Sequence, residues 1–148
     1  MQAIPVLKEI HSFIAYIFLF STTISLFFGI SRYIRKTRFS NTQFVLAKMA
    51  FIASHTQLVI GLLLWWFHGY AQMMSENFKG VMSDSVVRKI AVEHPLTNII
   101  AVTLLSIGFI SIKKTALDQT KHLKSIIFFG IALLLVLSRI PYNSWFNS

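Results

Sequence analysis

The chain has 148 residues, 55% of them hydrophobic and only 13% charged, with a formal net charge of +9 and no cysteine. Soluble domains carry about 25% charged residues, so the composition describes one membrane domain and excludes water-soluble nucleotide-binding and hydrolase architectures. Without cysteine there are no disulfides, iron–sulfur clusters, thiolate ligands or covalent c-type haem attachment.

Residues 1–13 lack a basic n-region and a small-residue cleavage site, so no removable signal peptide is expected. A helical span needs about 20 mostly apolar residues, and four stretches qualify. The first, residues 10–34, closes on Arg32, Arg35, Lys36 and Arg38. The second, residues 44–67, closes on Trp65-Trp66, whose amphipathic rings favour the headgroup level. Residues 69–92 form the long connection, in which Ser83 or Asp84 suits the N-cap of a short helix through Val86, Val87, Ile90 and Ala91. That helix is expected to lie at the membrane interface and lead into His94-Pro95. The third span, residues 94–112, stops at Lys113-Lys114. The fourth, residues 123–140, is followed by Pro141-Tyr142 and Trp145, a second aromatic anchor.

The basic residues gather between spans rather than on one continuous surface, which argues against nucleic acid as a partner. Nine of them (Arg32, Arg35, Lys36, Arg38, Lys48, Lys113, Lys114, Lys121 and Lys124) flank the first and third turns. Five (Lys8, Lys79, Arg88, Lys89 and Arg139) lie on the opposite side. Basic loops stay in the cytoplasm, so the expected fold is an all-α, up-down-up-down four-helix membrane bundle with both termini outside.

Lipid is as apolar as leucine, so membrane helices pack on small and weakly polar residues. Helical spacing aligns His11, Ala15, Phe18, Thr22, Ser25 and Gly29 on the first span. Ala47, Ala50, Ser54, Gln57, Gly61 and His68 align on the second, and His94, Asn98, Ala101 and Gly108 on the third. The fourth carries His122, Ser125, Phe129, Ala132, Val136 and Arg139. Each stripe includes a histidine, and an imidazole in or beside hydrocarbon usually faces a bundle interior, binds something or moves protons.

Three of the five histidines, His11, His68 and His94, fall at the outer edge. His11 and His94 open spans one and three, which are diagonal in a simple bundle, and neutral imidazole is a common ligand of haem iron, copper and zinc. These two are the expected ligand pair, with His68 as a third candidate and Arg139 placed to meet a haem propionate. Glu93 is expected to orient His11 or to take up Arg139. His11 and His94, with Glu93 and His68, also suit a copper or zinc site. His55, near mid-span with Gln57 close by, is read either as an interhelical hydrogen bond or as a ligand or proton relay. His122, between Lys121 and Lys124, is expected to be a solvated residue at the cytoplasmic edge. No H-E-x-x-H, intramembrane acid pair or nucleophile turn occurs, so no independent catalytic activity is expected.

Several segments carry a family resemblance: His11-Ser12, the run Ser54-His55-Thr56-Gln57-Leu58-Val59-Ile60-Gly61-Leu62, Val81-Met82-Ser83-Asp84, Ala91-Val92-Glu93-His94, Lys121-His122 and Arg139-Ile140-Pro141. Together they span almost the whole chain and resemble small four-helix membrane proteins, mostly of Bacteroidota, described as cytochrome B-like. Ala15-Tyr16 stands where that pattern often has Arg-Trp. The resemblance implies haem b, electron transfer, a bacterial inner membrane, and His11, His55, His94 and His122 as the positions involved. The leading expectation is therefore a membrane cytochrome or small respiratory-complex subunit exchanging electrons with quinone or a larger membrane complex. The alternatives are a non-catalytic accessory or assembly subunit, and a metal or proton carrier stepping through His55, Gln57 and Lys48.

Overall fold

The computed structural model describes residues 3–142, which leaves Trp145, the expected second anchor, outside the described residues. Among the described residues, four helices are long and apolar enough to cross a membrane. They are α1 (Ala3–Ile34), α2 (Asn41–Phe67), α5 (Ser85–Lys114) and α6 (Asp118–Arg139); the short α3 (Tyr70–Glu76) and α4 (Phe78–Ser83) fill the connection between α2 and α5. Helix α1 packs on α2, α2 on α5, α5 on α6, and α6 closes the ring against α1. The all-α membrane bundle is the fold, with α1 facing α5 across its interior and α2 facing α6.

The small-residue stripes do line that interior. Phe18, Thr22, Ser25, Ala47, Ala50, Ser54, Ala101, Ala132 and Val136 are buried, while Phe13, Phe20, Phe27 and Ile34, at seven-residue spacing on α1, are 65–72% exposed and face outward. Lipid gives no hydrophobic drive between helices, so their approach depends on backbones coming close. At Gly108 any Cβ would collide with the Cβ of Phe128, so α5 and α6 meet there only because the residue is glycine.

Each turn has its own fastening. Ser40 caps α2 by accepting from the Gln43 N–H, and the Gln43 side chain returns to accept from the Ser40 N–H. Asp84, one of the two expected caps, accepts from the N–H groups of Val86 and Val87 at 2.8 and 3.0 Å. The helix it starts does not stand apart at the interface. It runs on into the third span through a π turn at Lys89–Glu93, where the His94 N–H reaches back to the Lys89 carbonyl. A second π turn, Ser125–Phe129, lies in α6 beside the Gly108 contact.

Two prolines shape the same end of the bundle. Pro95 has no N–H to give to the carbonyl of Ala91, four residues earlier. The indole N–H of Trp65 takes that place, donating to the Ala91 oxygen at 2.7 Å. Trp65 is therefore an internal tie between α2 and α5 rather than a headgroup anchor, and its neighbour Trp66, 66% exposed, is the ring turned outward. Pro141 deprives the Leu137 carbonyl in the same way, and the Tyr142 hydroxyl donates to it at 2.9 Å. Trp65→Phe is expected to cost about 1–2 kcal/mol. In a Pro95→Ala background, which returns a backbone donor, the cost should shrink; thermal unfolding in detergent of the four variants of this cycle measures both effects.

Candidate functional site

At the end away from the basic turns, α1, α2, α5 and Pro141 beyond α6 border a cavity of about 310 Å³ lined by His11, His68 and His94 together with Gln57, Trp65 and Asn98. A recess of about 130 Å³ continues between α1, α5 and α6 and shares His11, Gln57, His94 and Asn98. The three histidines expected at one edge are thus gathered at one space. Apolar side chains, Phe18, Leu58, Leu62 and Val102 among them, supply much of the remaining wall.

His94 is held from two sides. Its Nδ1–H donates to the Arg139 carbonyl at 3.0 Å, filling an acceptor at the end of α6 and tying α5 to that helix. This bond leaves Nε2 as the nitrogen with the lone pair. The Asn98 amide donates to the His94 carbonyl at 2.7 Å and lies beside the ring, 3.2 Å from Nδ1 and 3.4 Å from Nε2. His68 has the same tautomer, donating Nδ1–H to the Leu64 carbonyl at 2.8 Å. Its ring stacks on Tyr70, with centroids 6.0 Å apart, and burial pushes the Tyr70 phenol above its ordinary pKa.

His11 lies against α2. A Cβ on Gly61 would sit 3.0 Å from the ring's Cε1, so glycine there makes room for the imidazole. The Gln57 amide nitrogen is 3.1 Å from Nε2 and donates to its lone pair, which puts the ring proton on Nδ1. That Nδ1 and the Gln57 Oε1 are both buried without a hydrogen-bond partner. Exchanging the oxygen and nitrogen of the amide moves the roles but still leaves one donor and one acceptor unpaired. Each such group costs about 1–3 kcal/mol when it stays unsatisfied.

Glu93 takes up Arg139 rather than orienting His11. One carboxylate oxygen is 2.9 Å from Arg88 Nε and the other 3.4 Å from Arg139 Nε. Arg88 also donates to the Met82 carbonyl, so this cluster clamps the connection before α5 to the end of α6.

The other two histidines are not at the cavity. His55 is half-buried and donates Nδ1–H to the Phe51 carbonyl at 2.7 Å, while its Nε2 is 3.3 Å from the Ser106 hydroxyl on α5. It is the interhelical hydrogen bond of the two readings, on a different face of α2 from Gln57, and Lys48 is exposed. His122 corrects the expectation of a solvated edge residue, for it is fully buried. Its Nε2–H donates to the Thr37 carbonyl at 3.0 Å and its Nδ1 accepts from the Gln43 amide at 3.2 Å. Both ring nitrogens are spent on joining α6 to the turn between α1 and α2.

Lys8, Trp65, Tyr70 and Pro141 also line the cavity, none of them singled out as site residues by the sequence. The signal for Lys8 was its place three residues before His11, on the same helical face. No protein-family model, curated protein or solved structure matches the chain. Because His122→Ala strands the Gln43 amide and the Thr37 carbonyl, it is expected to lower stability by about 2–4 kcal/mol. Denaturant unfolding in micelles should register that loss, with the spectrum of any group bound at the far cavity unchanged.

Proposed function

We propose that the chain is a b-type haem protein of a bacterial inner membrane, transferring electrons without catalysing a reaction of its own. The observation that carries this reading is that His68 and His94 each hold Nδ1–H on a backbone carbonyl and keep an Nε2 lone pair at one apolar cavity, which His11 also lines. Ligating histidines commonly hold their other ring N–H on a carbonyl or carboxylate, as His68 and His94 do. His11 and His94, on diagonal helices, are the two imidazoles that would hold the haem, with the Gln57 amide released from the His11 Nε2.

Among the described residues, no three His, Asp or Glu side chains gather to hold a bare metal ion. Copper or zinc would need three or four protein ligands, whereas haem brings four nitrogens of its own, which is why we favour it. When bound, haem supplies a one-electron couple whose potential depends on axial ligands and burial. The protein's part is to hold the imidazoles, exclude water with the Trp65 and Phe18 walls, and keep the Nδ1 protons of His68 and His94 on backbone carbonyls. A quinol pool or a larger membrane complex would be the electron partner.

The basic turns at the end opposite the cavity support a cytoplasmic position for that end, with both termini and the cavity outside. Periplasm-dependent reporters fused after Ser148 should be active; activity only of cytoplasm-dependent reporters reverses the orientation.

Protein purified after expression with ample haem should show a reduced α-band. His94→Ala and His11→Ala are each expected to abolish the low-spin form of that band, and His122→Ala to retain it. A colourless wild-type protein refutes haem binding and favours the accessory-subunit reading. Loss on His68→Ala with retention on His11→Ala would exchange the partner of His94.

A further inference from the structure

Among the described residues that line the cavity one is a cation, Lys8. Lys8 lines both the main cavity and the recess, three residues from His11 on the same face of α1. Among the described residues it makes no ion pair or hydrogen bond, and it is exposed. The two arginines at this end, Arg88 and Arg139, share Glu93, and Lys89 also acts on that carboxylate. Glu9, next in sequence, is exposed and makes no ion pair with Lys8. An ammonium group at the edge of an apolar space has a stronger pull on an anion than it would in open water, because the effective dielectric is lower.

We infer that Lys8 is the carboxylate anchor of this cavity, selecting a ligand with an apolar body and an acidic edge. The apolar body lies among Phe18, Leu58 and Val102, and the acidic edge meets the Lys8 ammonium at the mouth. The three ammonium donors suit carboxylate oxygens without demanding the fixed fork geometry of a guanidinium. The inference rests on the haem reading, because haem has this shape: a flat apolar ring with two propionates on one side. It assigns the propionate contact to Lys8 in place of Arg139, whose guanidinium is committed to Glu93.

The test compares iron protoporphyrin IX with its dimethyl ester, which has the same ring and iron but no free carboxylate. Each is titrated into the full-length apo-protein in neutral detergent and followed by absorbance. The wild type should bind the free acid about tenfold or more tighter than the ester, and added salt should narrow the gap. Lys8→Gln should weaken free-acid binding about five- to twentyfold with little effect on the ester, and Lys8→Arg should restore the preference. Equal losses for both porphyrins on Lys8→Gln would mean a structural role and overturn the inference. So would an unchanged free-acid affinity, with haem binding itself left standing. If neither porphyrin binds the wild type, the haem reading fails and the anchor fails with it.

Discussion

Inside hydrocarbon a backbone carbonyl without a donor has no water to turn to, and this rule organises the end of the bundle that holds the cavity. Proline twice removes a donor there, at 95 and at 141, and an aromatic side chain twice replaces it, from Trp65 and Tyr142. The end of α6 offers another loose carbonyl, at Arg139, and His94 fills it. That bond serves the fold first. Its by-product is chemical, because a ring that has committed Nδ1–H to a backbone oxygen must show its lone pair at Nε2. The need to satisfy the main chain therefore sets the tautomer at the cavity, without a second layer of acidic residues.

The opposite end solves the same problem with different economy. His122 donates to Thr37 and accepts from Gln43, and Gln43 in turn completes the cap of α2. A single imidazole so joins a turn, a helix start and a neighbouring helix, and no ring nitrogen remains for a ligand. The histidines divide by hydrogen bonding rather than by burial. His122, the most buried, is a structural group, whereas the half-buried His94 retains an Nε2 lone pair beside the cavity.

Most of the architecture was legible in the sequence because membrane helices announce themselves by length and their packing faces by residue size. The stripes running through Thr22, Ala50, Ala101 and Ala132 were found this way and are buried. That His11, His68 and His94 lie at one end of the bundle, where all three line the cavity, was legible too, since depth along a span is a count of residues. Direction around the helix was harder to read, and partners harder still. His122 sits between lysines and reads as solvated, yet its burial depends on the turn between α1 and α2 folding back over it. Trp65 and Trp66 are identical in composition terms; only the carbonyl freed near Pro95 decides which one turns inward. Lys8 was counted as a charge and not as a neighbour of His11.

The π turn before His94 adds a residue to α5 relative to a uniform helix. One residue is about 100° of rotation, so everything upstream is turned relative to everything downstream. Arg88 meets Glu93 across this offset. The segment carrying Asp84 and Arg88 and the segment carrying His94 and Asn98 therefore behave as two gears set one tooth apart. A single-codon deletion within residues 89–93 would change the phase between them while leaving the apolar length of the span nearly the same. Related chains with an unbroken α-helix here would carry a one-residue gap in the middle of a span, where helices are ordinarily taken to admit none.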